Sequence, residues 1–118
     1  MSQTQTTRER LIEAAHELAR CKGFDRTSVA EVMKAADVGK GSFFHHFPDK
    51  DSLGLAVLER NRTDFMNMID DCLDAPTPLE GLDRFFGAAL RIHRETGCTG
   101  GCLWGNTALE MSDSNPAF

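Results

Sequence analysis

The sequence predicts an all-α fold, on two observations. Apolar residues recur at three- and four-residue intervals along almost all of the 118-residue chain, with no sustained apolar/polar alternation. Residues that start and stop helices punctuate that pattern at regular places. Length fits one domain, or one and a piece of another; 26% of residues are charged and no run approaches the 18 apolar residues of a membrane span. The opening "MSQTQTTRER" lacks the apolar stretch of a signal peptide, so a cytoplasmic location is expected. Thiols are then reduced by default; of the four cysteines, Cys21 and Cys72 fall within helical patterns and read as small core residues.

Helix 1 is expected from about Thr7 to Lys22. Thr6 and Glu9 have capping-box spacing, Leu11, Ala15, Leu18 and Ala19 make one apolar face, and Gly23 terminates it. Ser28 and Glu31 form a second capping box before Val29, Val32, Met33 and Ala36, a short helix. "DVG" (37–39) turns the chain, and a third helix runs from Lys40 to Phe47, where Pro48 ends it. Asp49 caps a long fourth helix reaching about Leu73, with Leu53, Val57, Phe65, Met68, Ile69 and Cys72 along its apolar line. Thr77, Pro78 and Glu80 supply the N-cap, N1 proline and N3 glutamate of a fifth helix carrying Leu79, Leu82, Phe86, Ala89, Leu90 and His93. "ETGCTGG" (95–101) is a turn, "CLWGNTALEM" (102–111) a sixth helix, and "SDSNPAF" ends the sequence without a closing element.

The chemistry concentrates in "VGKGSFFHHFPDK" (38–50), which admits three readings. A phosphate loop needs Gly, four residues, then Gly-Lys-Ser/Thr after a strand; here Lys40 is followed by Gly41 and no strand precedes it. A metal pair is disfavoured because adjacent His45 and His46 diverge by about 100° on a helix, whereas helical zinc ligands sit four apart. "HELAR" (16–20) lacks the second histidine of a zinc motif, His16 reads as partly solvated, and no catalytic triad or carboxylate pair is visible, so neither metal, cofactor nor enzyme activity is expected. The third reading is a helix-turn-helix over residues 28–47. Ala36 permits close approach, Val29, Val32, Val38, Phe43 and Phe47 fill the space beneath, and Lys40, Ser42, His45 and His46 face outward. Gly39 suits the turn and Gly41 admits a close backbone, at a cost in helix stability. A helix of eight residues, about 12 Å long, matches a major groove about 12 Å wide. Lys40 can donate to guanine O6 or N7, and the helix starts at Ser28 and Asp49, beside Lys50, favour phosphate. A packed helical corner with a solvated face remains the alternative.

Net charge is −5, divided unevenly: residues 1–50 carry eight Lys/Arg against seven Asp/Glu, and residues 51–118 carry five against eleven. A basic face on the first part is compatible with this balance.

Three stretches in order, "RLIEAAHELARCKGFDRTSV" (10–29), "EVMKAADVGKGSFFHHFPDKDSL" (31–53) and the long helix after them, resemble the DNA-binding domain of tetracycline-repressor (TetR/AcrR-type) transcriptional regulators. The likeness covers about residues 7–58 and is weaker over 59–111, where "GCLWGNTALE" (101–110) is similar to the sixth-helix region of some members. The resemblance implies a helix-turn-helix domain over 1–48 and, over 49–118, a long linker helix with part of a ligand-binding and dimerisation domain. It implies a homodimeric repressor of a palindromic operator in double-stranded DNA, released when a small molecule moves the fourth helix. By matching positions, Ser28 and Lys50 would bind phosphate, Lys40, Gly41 and Ser42 would approach base edges, and Phe44, His45 and His46 would meet the backbone and groove wall. The family usually has tyrosine where Phe44 stands, so one phosphate hydrogen bond, on the order of 1 kcal/mol, would be absent. Family members are longer, which implies truncation after the sixth helix and uncovered apolar faces on helices 4, 5 and 6, hence a non-standard dimer or aggregation. Some relatives sense oxidants near "CTGGC" (98–102), making Cys98 and Cys102 a candidate thiol pair, against two ordinary reduced thiols, and His93 and Trp104 candidate effector contacts, although core positions suit the latter two better. The rival from another class is a helical protein-interaction module that binds no DNA.

Overall fold

A computed structural model of the protein describes residues 4–97 and 99–118. It is all-α, with α1 (Thr7–Lys22), α2 (Val29–Ala36), α3 (Lys40–His46), α4 (Lys50–Leu73), α5 (Pro78–Glu95) and α6 (Leu103–Met111). The caps form where local sequence places them. Thr6 Oγ1 accepts the Glu9 N–H at 3.1 Å, while the Glu9 carboxylate accepts the Thr6 N–H at 2.8 Å. Ser28 and Glu31 repeat the arrangement on α2, and Thr77 caps α5 with Pro78 in its first turn.

Two compact units result, Met1–Leu58 with Gly101–Phe118, and Glu59–Gly100. In the first, Leu11, Ile12, Ala15 and Ala19 of α1, Val32 and Ala36 of α2, Phe43 and Phe47, and Leu53, Val57 and Leu58 of α4 form one core, joined by Leu103 and Met111 of α6. Residues 112–118 pack back onto this unit. The Asn115 amide donates to Asp51 Oδ2 at 3.0 Å, and the Phe118 ring lies 5.3 Å from that of Phe24. Gly54 is required there, because a Cβ would stand 2.4 Å from Phe24 and 2.6 Å from Phe118. The space left between Ala19, Phe24, Gly54, Leu103, Thr107 and Phe118 is ≈ 10 Å³, about one water and no room for an effector.

In the second unit Gly81, Phe85 and Ala88 form the packed edge of α5. A Cβ on Gly81 would stand 3.3 Å from the Cys72 carbonyl oxygen, Ala88 is buried, and Phe85 meets Phe65 edge-on with ring centroids 6.4 Å apart. The apolar line Leu79, Leu82, Phe86 and Leu90 faces solvent. Cys72 is buried as expected, but Cys21 is exposed; its thiol lies against Glu17 and Arg20, one position off the stripe that α1 buries.

Candidate nucleic-acid interface

The helix-turn-helix is built from α2, the turn 37–39 and α3. Its sharp corner is made by Asp37, whose φ of 54° and ψ of 53° place it in the left-handed region. Gly39, the last residue of the turn, is extended (φ −76°, ψ 164°) and serves as the N-cap of α3. Arg10 of α1 fastens the corner: its guanidinium donates to the Ala36 carbonyl and, at 2.9 Å, to that of Asp37. Those carbonyls stand at the C-terminus of α2, where a cation also meets the negative end of the helix dipole.

On α3 the buried side is Phe43 and Phe47, with Phe43 at 0% exposure. Lys40, Gly41, Ser42, Phe44 and His45 are exposed, and His46 is half-buried. Phe44 stands edge-on to Phe43 with centroids 5.0 Å apart and keeps 46% exposure. His45 and His46 approach each other edge-on at 5.1 Å, and no group of three metal-ligating side chains occurs among the described residues. A Cβ added at Gly39 or Gly41 would meet nothing within 4 Å. Gly41 therefore costs helix stability, roughly 1 kcal/mol against alanine, without any close contact inside the protein that demands it.

Ser28 and Lys50 flank this face but already have partners. The Ser28 hydroxyl donates to Glu31 Oε1 at 3.1 Å while accepting the Glu31 N–H at 3.1 Å. Glu31 also pairs with Lys22, and that ammonium, with the Ser28 hydroxyl second, holds its carboxyl below the ordinary range. Lys50 lies over the Phe24 ring, 4.8 Å from its centroid, and donates to the Asp25 carbonyl at 3.2 Å, which leaves ammonium protons free for a further acceptor. Asp49 caps α4, and the Ser52 N–H and then its hydroxyl hold the Asp49 carboxyl below its ordinary value.

Cys98 lies outside the described residues. Cys102 is a free, exposed thiol at the N-cap of α6, its sulfur accepting the Gly105 N–H at 3.5 Å. Trp104 and His93 are both exposed, so neither is a core residue. Reading the sequence missed Arg8, whose guanidinium lies 5.3 Å from the Phe47 ring centroid, and the Arg10 clamp. Both contacts span more than 25 positions, beyond what local spacing reveals.

A model for "Bacterial regulatory proteins, tetR family" matches residues 11–57. The chain is 40% identical over 103 residues to the transcriptional regulator AcuR of Cereibacter sphaeroides, covering 86% of this chain and 47% of that protein. It is 30% identical over 112 residues to the transcriptional repressor NemR of Escherichia coli K12, covering 91% of this chain and 55% of NemR. A crystal structure of a regulatory protein TetR from Rhodobacter sphaeroides superposes with a TM-score of 0.81 at 38% identity, covering 87% of this chain and 56% of that one. The chain thus spans about half the length of these relatives. All are named as regulators rather than enzymes.

Proposed function

Residues 11–57 belong to the tetR family of bacterial regulatory proteins, and from that premise we propose that the chain is the DNA-reading part of a transcriptional repressor. It acts as a homodimer on a palindromic operator. A small-molecule or thiol-reactive effector releases it, with Cys98, Cys102, His93 and Trp104 as candidate contacts. The domain organisation proposed is a reading head over 1–48 and a regulatory part over 49–118. AcuR and NemR carry the words regulator and repressor in their names, which supports the class.

The observation that carries the reading is the outer face of α3. Lys40, Ser42 and His45 are exposed on a helix that also holds Gly41, a residue with open space where its side chain would be. Lys40 reads a guanine edge, Gly41 lets the backbone approach the groove floor, and Ser42 and Phe44 meet bases and the groove wall. Gly39 brings the start of α3 close to DNA. His45 and His46 meet the sugar-phosphate backbone. Ser28 and Lys50 take phosphates on either side, Ser28 by exchanging its Glu31 partner.

Selection of bound duplexes from a random DNA pool tests this. A palindrome is expected, and its affinity falls steeply as salt rises. Lys40→Ala relaxes preference at one position of each half-site. Retention of no duplex at low salt overturns the reading and favours the rival, a protein-interaction module, which the exposed apolar line of α5 would serve.

A further inference from the structure

Arg8 has a position that the reading face above does not use. It lies in the first turn of α1, is exposed, and stacks 5.3 Å from the centroid of Phe47, the residue that caps the C-terminal end of α3. The other cations of α1 are occupied. Arg10 is bound to the carbonyls of the α2–α3 corner, Arg20 pairs with Glu17, and Lys22 pairs with Glu31. Among the described residues no carboxylate pairs with Arg8. A guanidinium lying on an aromatic ring keeps its N–H edges free while the ring restricts where the group sits. Phe47 is itself held, since it is buried and its backbone N–H closes the last turn of α3 onto Phe43. The charge therefore lies against Phe47 at the C-terminal end of α3, a helix that itself contains no acidic residue.

We propose that Arg8 is a further DNA-contacting residue, a cation that Phe47 orients onto a phosphodiester group beside the groove entered by α3. The ligand class is the sugar-phosphate backbone, so Arg8 adds affinity and fixes register without reading sequence. A bidentate guanidinium–phosphate contact is the geometry that Arg supplies and Lys does not. The inference rests on the DNA-binding reading of α3, and its test separates the two.

The test is a salt series, roughly 50–200 mM, on the full chain with a duplex recovered from the random pool and an unrelated duplex of equal length. Circular dichroism first establishes that each variant is folded. Arg8→Gln is expected to weaken both duplexes by the same factor and to flatten the plot of log K against log salt by about 0.9 for each Arg8 engaged. Arg8→Lys keeps the parental slope and loses only part of the affinity, while Lys40→Ala changes the preference between duplexes. If the parent binds neither duplex, the reading of α3 fails and Arg8 with it. If the parent binds and folded Arg8→Gln keeps the parental slope, even at reduced affinity, Arg8 merely braces Phe47 and the proposal alone is overturned.

Discussion

Phe43 and Phe44 are adjacent in α3, but Phe43 is fully buried while Phe44 keeps 46% exposure. Phe43→Ala removes a ring from the centre of the first unit and is expected to cost about 3–5 kcal/mol, read as a lower denaturant midpoint. Phe44→Tyr adds a hydroxyl on the solvent side of the ring. It is expected to leave the midpoint unchanged and to tighten operator binding by roughly fivefold per subunit, the equivalent of one hydrogen bond of about 1 kcal/mol; unchanged affinity would mean that this ring does not face phosphate. Glu31 and Asp49 connect residue chemistry to pH. Both carboxyls are held below their ordinary values in the folded state, Glu31 first by Lys22 and then Ser28, and Asp49 by the Ser52 N–H and hydroxyl. A depressed folded-state pKa means that the stabilisation is fully present above the unfolded value and is lost as pH falls through the folded one. Melting temperature is thus expected to drop below roughly pH 4.5, and a Glu31→Gln, Asp49→Asn double variant should show a smaller drop over that window.

At the scale of elements, the turn after α1 depends on α6. Gly23 has φ 89°, and a Cβ there would stand 2.1 Å from the Glu110 carboxylate, which also accepts the Phe24 N–H at 3.2 Å. Gly23→Ala strains the positive-φ backbone and displaces the flexible Glu110 carboxylate from the Phe24 N–H, and is expected to cost about 1–3 kcal/mol. Adding Glu110→Ala removes the collision but not the backbone penalty. The double variant should therefore be more stable than the sum of the singles predicts, and strict additivity in denaturant titrations would refute the contact. These elements also mark what the sequence makes legible. Thr6 with Glu9, Ser28 with Glu31, and Thr77 with Glu80 act over three residues, so their spacing alone places the helix starts. Arg10 on Asp37, Glu110 on Phe24 and Phe118 on Gly54 join positions far apart in the chain, and no periodicity announces them. The turn over 37–39 was legible, but not that an aspartate, Asp37, rather than Gly39 takes its positive φ. The outward side of α3 was legible because Phe43 and Phe47, four apart, could only be its buried side. On α5 apolar residues occupy too much of the circumference for spacing to choose an edge, and Phe85, which does pack, went unnoticed.

At the scale of the molecule, charge and apolar surface pull in different directions. Residues 51–118 hold eleven acids against five Lys/Arg, so the cations available to the proposed DNA interface lie mostly in the first fifty residues, and the phosphates they neutralise set its salt dependence. Association, by contrast, is favoured by the outward stripe of α5. Leu79, Leu82, Phe86 and Leu90 recur at three- and four-residue intervals, and Leu79 and Phe86 are 77% and 61% exposed. A contiguous apolar line of this kind gains about 25 cal/mol for each Å² removed from water, and monomeric proteins seldom leave larger patches uncovered. The chain alone is therefore expected to self-associate, with a weight-average sedimentation coefficient that rises with concentration. Leu82→Glu with Phe86→Glu puts two like charges on the stripe and should return it to a monomer with the helix content of the parent. The two outcomes bear on DNA differently. A palindrome bound by an associated parent should be bound as a single half-site by the charged variant, with a lower affinity and about half the salt slope, because half as many phosphates are neutralised. A clean monomer of the parent at high concentration refutes the association, and an unchanged salt slope in the charged variant shows that α5 does not bring two reading heads together.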